Sequence, residues 1–235
     1  MTFLDLCAGI GGFSLGLEMA GLICKGQVEI DEFCNKILEK HWPDVPRWGD
    51  IKKISPNDLP TTDLVCGGYP CQPFSVAGRM QGENDERHLW PEIFAIVKST
   101  RPTWCLFENV TGHIRLGLDK VLADLESQNY ACQTLVIPAC AVDAPHIRSR
   151  VWILAYADGG EPRQPTKQEG RENISRRSEK NSRQWWPAEP PVGRLADGIS
   201  GRVARLKALG NAVVPQIVYQ IGLAIMEANG KTFDS

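Results

Sequence analysis

No stretch of this 235-residue chain approaches the roughly 18 consecutive apolar residues that mark a bilayer span. Nor does Met1-Thr2-Phe3-Leu4-Asp5 place a basic segment ahead of an apolar one. Neither a membrane span nor a secretory leader is expected, and a cytoplasmic setting is. The eight cysteines contain no Cys-x-x-Cys pair, which removes the usual zinc-ribbon pattern. They sit mostly inside apolar segments. Seven of them (Cys7, Cys24, Cys34, Cys66, Cys105, Cys132 and Cys140) are expected to be reduced core residues, with neither metal nor disulfide. Internal repeats are absent, and so is any overall positive charge: the formal net charge is −2.

What is present fits one globular domain with a modest insertion: 43% hydrophobic and 23% charged residues. The basic residues are concentrated. Asp158 to Lys207 holds 11 Lys and Arg against 7 Asp and Glu, a net of +4, while the remainder carries −6. That distribution suits a phosphate-facing segment. Ahead of it, short apolar runs alternate with helical patterns. Strands are expected at Thr2 to Leu6, Gly26 to Ile30, Val45 to Ile51, Asp63 to Gly67, Thr103 to Phe107, Tyr130 to Ile137 and Arg150 to Ala155. Helices are expected to about Met19 and Lys40, over His88 to Ser99 and Leu116 to Gln128, and finally over Val213 to Ala228. The fold class is therefore α/β, with a mostly parallel sheet covered by helices on both faces. Ligands in such sheets bind outside the carboxyl ends of the strands. Asp158 to Pro191 lacks either period, too long an irregular excursion for an ordinary loop.

Three motifs fall at that carboxyl edge. Asp5-Leu6-Cys7-Ala8-Gly9-Ile10-Gly11-Gly12-Phe13 is a glycine-rich turn before a helix, open to an anionic or zwitterionic ligand. Glu29 closes strand two, where an acidic residue commonly takes ribose hydroxyls, and Asp50 closes strand three. Ser14 stands where the third glycine of Gly-x-Gly-x-x-Gly would fall, which disfavours a nicotinamide dinucleotide. Pro70-Cys71-Gln72-Pro73-Phe74-Ser75 places a thiol in a turn after strand four, between prolines that cannot join a ladder. Phe107-Glu108-Asn109-Val110 ends another apolar run with a carboxyl group. A thiol and a carboxyl group on neighbouring strand ends can together attack and protonate an electron-poor ring.

In this order the motifs resemble those of the DNA (cytosine-5)-methyltransferase family, of compact phage or bacterial type. The resemblance runs from Thr2 to about Ala155 and from Leu209 to about Glu227. It implies a Rossmann-like S-adenosylmethionine-dependent fold and methyl transfer to carbon 5 of a cytosine flipped out of a specific duplex DNA sequence. Cys71 is then the nucleophile at carbon 6 and Glu108 the acid at N3. Arg148 and Arg150, by period-two spacing, share a strand face toward a base carbonyl and phosphate. The cofactor, released as S-adenosylhomocysteine, would lie against Asp5, Gly9, Gly11, Phe13, Glu29, Asp50, Ile51, Pro70, Leu89 and Asn211. Phe13 would face the adenine. Ser75 to Arg87 reads as a loop closing over the base, with Arg79 and Arg87 at phosphates.

The expected division is residues 1–157 as catalytic and cofactor-binding core, 158–207 as target-recognition insertion, and 208–235 as the segment completing the core. The expected partner is double-stranded DNA. A cognate restriction endonuclease would be a natural companion, and a monomer is expected. Cys7 and Ile30 replace usual aromatics, His146 stands where the family has Gln, and Arg194 to Ile199 replaces the usual motif before the C-terminal block. An RNA cytosine-5 methyltransferase is the first rival, yet neither a Thr-Cys pair nor Cys-Phe-Thr occurs. A silent DNA-binding relative would be expected to lack Cys71 or Glu108, and both are present.

Overall fold

Alternation within the first strand, β1 (Thr2–Leu6), sets up the two layers of the molecule. Leu4 and Leu6 enter one core cluster and Phe3 the other, as a period of two requires. The computed structural model describes residues 1–70, 89–157 and 202–230. Within them β1 is joined by β2 (Ile23–Val28), β3 (Arg47–Trp48), β4 (Leu64–Gly68), β5 (Trp104–Val110), β6 (Tyr130–Ile137) and β7 (Arg150–Ala157). The sheet order is β3-β2-β1-β4-β5-β7-β6. The first five run parallel, and β7 lies antiparallel to both its neighbours. Winding reverses at β1, so the loops after β1 and β4 border a crevice at the switch point.

On one face α1 (Gly12–Met19) and the last helix, α7 (Pro215–Ala228), bury Phe13, Leu17, Ile217 and Val218 against Phe3, Leu64 and Leu106. Their backbones approach closely: a Cβ on Gly222 would stand 2.7 Å from that of Ala20. On the other face α3 (Trp90–Thr100) and α5 (Leu118–Glu126) bury Trp90, Ile93, Val97 and Leu125 against Leu4, Val65 and Phe107. α2 (Glu32–His41) starts at Asp31, whose carboxylate accepts from the Phe33 and Cys34 N–H groups, a side-chain cap for donors that lack helical partners.

Several boundaries differ from those expected. β2 begins at Ile23, three residues before the expected Gly26. The helix expected over Leu116 to Gln128 is two, α4 (His113–Leu116) and α5, parted at Gly117, whose φ of 173° is extended. The final helix starts at Pro215 rather than Val213, because proline suits the first helical position. Gly210-Asn211 ends a further helix, α6 (Arg202–Asn211), so a boundary between 207 and 208 cuts through regular structure. Cys140 is exposed, unlike the core cysteine expected there. Lys207–Ala228 is apolar enough for its length to pass as a membrane span, but it breaks before Pro215, and the second part packs on α1.

Candidate active site

β5 carries Glu108 to the carboxyl edge within the ladder, in register with Gly68 of β4 and Trp152 of β7. The strand continues to Val110 and does not end before the carboxylate as expected. Glu108 is only 7% exposed, and Arg150 Nε lies 3.0 Å from its Oε1. Burial pushes its pKa up to about 7, against the pull of the Arg150 and then the Arg148 guanidinium. Desolvation wins because it penalises the charged form directly. A carboxyl group that exchanges its proton near neutrality is the result.

Arg148 does not share a strand face with Arg150. β7 begins at Arg150, and Arg148 precedes it with a φ of 30°. That left-handed conformation costs a non-glycine residue about 1–3 kcal/mol, and period-two alternation does not extend to it. Its Nη2 donates to the carbonyls of Gly210 at 2.9 Å and Ala212 at 2.7 Å. Arg150 and Arg148 still converge on Glu108 electrostatically, from two different backbone settings.

The turn after β1 places Cys7, Gly9 and Gly11 at φ values of 56°, 57° and 87°. A Cβ on Gly9 would meet nothing within 4 Å, so the turn is open there; on Gly11 it would collide with the Trp42 ring. Glu29 Oε2 accepts from the Gly9 N–H at 2.6 Å, and its Oε1 from the Asp31 N–H at 2.8 Å. The carboxylate thus braces the turn, and each oxygen keeps capacity for a ligand hydroxyl. Asp50 caps a 3-10 turn at Ile51–Lys53 through the Lys52 N–H and pairs with Lys53 at 3.7 Å.

Two expected cofactor contacts are repositioned. Asp5 is fully buried and accepts from Ser14 N at 3.1 Å and Ser14 Oγ at 2.8 Å, so it holds the first turn of α1 from within the core. Gln27 Nε2 completes this network on Ser14 Oγ at 2.9 Å, and burial pushes Asp5 up to about 7. Phe13 is 2% exposed and packs edge-on to Trp152 at 5.9 Å, in the cluster opposite that of Ile51. Ile51 is buried in that other cluster, against which Cys7, Trp48 and Leu89 also pack, partly buried. Open backbone at Gly9, acidic groups on two adjacent strand ends and this apolar layer together fit a ligand with an adenine, a ribose and a zwitterionic end. Asn211 sits exposed at the end of α6.

The exit from β4 is held firmly. Asn109 Nδ2 donates to the Tyr69 carbonyl at 3.1 Å, while Asn109 Oδ1 accepts from Val110 N. The Tyr69 ring lies among Trp90, Phe107 and His113, with its hydroxyl 2.9 Å from His113 Nε2. Exposed Pro70 follows, next to Glu108's strand. Cys71, Arg79 and Arg87 lie outside the described residues, as does the stretch 158–201 of the expected target-recognition insertion. Trp152, Asn109, Ser14 and Val213 form part of this site without having been singled out from the sequence. Asn109, as the neighbour of Glu108 in its motif, and Val213, two residues after Asn211 in the run Gly210-Asn211-Ala212-Val213, carried a signal.

The profile of the C-5 cytosine-specific DNA methylase family matches residues 1–190. The chain is 39% identical over 160 residues to the type II methyltransferase M.HgiCII of Herpetosiphon aurantiacus, covering 65% of this chain and 36% of that protein. It is 38% identical over 165 residues to M.DsaV of Dactylococcopsis salina, covering 67% and 46%. This chain thus spans a third to a half of the length of these relatives. In structure it superposes on a Dnmt2 methyltransferase of S. pombe with a TM-score of 0.68 at 16% identity, over 97% of this chain and 99% of that one. That likeness carries the fold.

Proposed function

The chain belongs to the C-5 cytosine-specific DNA methylase family, and from that premise we propose that it methylates carbon 5 of a cytosine in a specific duplex DNA sequence. The family and fold imply S-adenosylmethionine, whose sulfonium supplies an electrophilic methyl group. The observation that carries the reading is Glu108, buried at the sheet edge with a pKa near 7 and held by Arg150. A neutral acid there can give its proton to N3 of a ring as negative charge develops. The Cys71 sulfur adds to carbon 6, forming a covalent bond and directing the electron pair to N3. Carbon 5 would then take the methyl group as S-adenosylhomocysteine leaves, and loss of the carbon 5 proton to solvent would let the sulfur depart with the electron pair of its bond to carbon 6. Arg150 orients Glu108 throughout. Glu29 and Asp50 hold ribose and adenine beside Ile51 and Leu89, with Pro70 and Asn211 toward the methionine end.

The flipped base reaches Cys71 only after leaving the stack. Residues 158–207 choose the target in this reading, while 1–157 and 208–235 form the catalytic core, with α6 crossing the second boundary. Duplex DNA is the substrate, a cognate endonuclease the natural cellular companion, and the protein acts as a cytoplasmic monomer. Duplex carrying 5-fluorocytosine at the target tests the chemistry, because fluorine cannot leave as a proton. With S-adenosylmethionine the protein is expected to form a lasting adduct that disappears in Cys71→Ala. An adduct that persists in that variant removes Cys71 as nucleophile.

A further inference from the structure

Arg148 is engaged on the protein itself, at the site where a phosphate contact was expected of it. Its Nη2 donates to Gly210 O at 2.9 Å and Ala212 O at 2.7 Å. These carbonyls stand at the C-terminal end of α6, where helical carbonyls lack partners and the dipole is negative. A guanidinium there makes charge-assisted bonds. The Ala212 N–H returns to Ala208 O at 3.0 Å, which closes the turn and delivers the chain to Val213.

Val213 joins two parts of the site. A Cβ added to Gly12, at the start of α1, would stand 2.7 Å from Val213 Cγ2. One added to Gly68, at the end of β4, would stand 3.6 Å from Val213 Cγ1 and 3.4 Å from Glu108 Oε2. The same valine therefore touches the end of the glycine turn and the edge that presents Glu108. Farther along, Val218 of α7 lies against Gly16, where a Cβ would come within 2.6 Å of it.

We infer that Arg148 is a positioning residue for the cofactor side of the site: by capping α6 it seats Val213 against Gly12 and so fixes the Gly9-to-Gly12 turn. The role belongs to the DNA-free protein, whereas a phosphate contact needs DNA. The left-handed backbone at Arg148 agrees with it, because such conformations persist where their surroundings hold them. The inference deepens the function proposed above and rests on it for the identity of the cofactor.

The test is calorimetric titration of the full chain with S-adenosylhomocysteine, without DNA, with melting curves to establish folding. Arg148→Ala is expected to bind about tenfold more weakly or worse. Arg148→Lys should fall between it and wild type, because a compact ammonium cannot reproduce the planar fork. Val213→Ala should also weaken binding, and the double variant should bind no worse than Arg148→Ala within about twofold, since both act through one contact. Unchanged cofactor affinity in Arg148→Ala, with weakened binding to duplex DNA, overturns the inference in favour of the phosphate contact. Additive losses in the double variant overturn the route through Val213. If Arg148→Ala does not fold, Arg148→Lys and its combination with Val213→Ala decide by the same comparison. A wild-type chain that binds no S-adenosylhomocysteine overturns both the cofactor reading and this inference, whereas normal wild-type binding with an unaffected Arg148→Ala overturns this inference alone.

Discussion

Two buried carboxyl groups, Glu108 and Asp5, are both pushed up to about 7, chiefly by burial. Their folded values lie above those of the unfolded chain, near 4. The folded state therefore holds more protons between those limits, and the stability these two groups contribute is full below pH 4 and is lost as pH rises through 7. Each group contributes on the order of 3 kcal/mol to that loss. Glu108→Gln and Asp5→Asn, neutral at every pH, are each expected to flatten the decline in denaturant stability between pH 5 and pH 8. A decline of undiminished size in both variants contradicts the burial argument. Arg150 acts in the opposite direction to burial. Arg150→Met removes the cation 3.0 Å from Glu108, so the Glu108 carboxyl should titrate at a higher pH. The alkaline fall in methyl transfer that follows loss of its proton should move the same way. A pH–rate profile that stays in place, or moves toward acid, excludes Glu108 as the titrating acid.

At the scale of elements, the close packing of α1 and α7 positions the cofactor turn. Gly16 and Gly222 allow it, because a Cβ on either would meet the facing helix within 2.7 Å. Gly222→Ala gains helix propensity but forces the helices apart, and overpacking of this kind costs typically 1–3 kcal/mol. The variant is expected to melt at lower temperature than wild type and to bind S-adenosylmethionine more weakly, because α1 carries the turn. Equal melting temperature would show that the interface relaxes without strain. Sequence periodicity finds these helices, yet it gives no sign that glycine sets their distance. At the β4 exit, similarly, the Asn109 contact with Tyr69 joins residues 40 positions apart, and only the β4–β5 register makes it.

For the molecule as a whole, positive charge gathers in the segment between the two parts of the core, while the rest is net negative. If residues 158–207 choose the target, replacing them with the equivalent segment of a relative of known specificity should transfer that specificity. Cutting before Arg202 instead of after Lys207 keeps α6 whole and with it the Arg148 contacts. An active hybrid that still methylates the original sequence places recognition elsewhere. Mapping 5-methylcytosine by sequencing reads the outcome.

Strand and helix order, the parallel sheet and the placement of the glycine turn and Glu108 at one edge were legible from alternation and turn residues, because periods of 2 and 3.6 are local properties. The glycine turn and the position of Glu108 at the sheet edge were legible as well, the one from its glycines and the other from a carboxyl group closing an apolar run, whereas Cys71 lies outside the described residues. Tertiary structure decided what those periods cannot reach. It moved Arg148 out of the strand, because a left-handed φ ahead of β7 breaks the alternation on which its expected direction depended. It put Asp5 and Phe13 into the core behind the turn, because alternation names a face without saying which helix covers it. It also raised Glu108 toward neutrality, an effect of the solvent excluded around a carboxylate, and no reading of the residues beside it in sequence contains that.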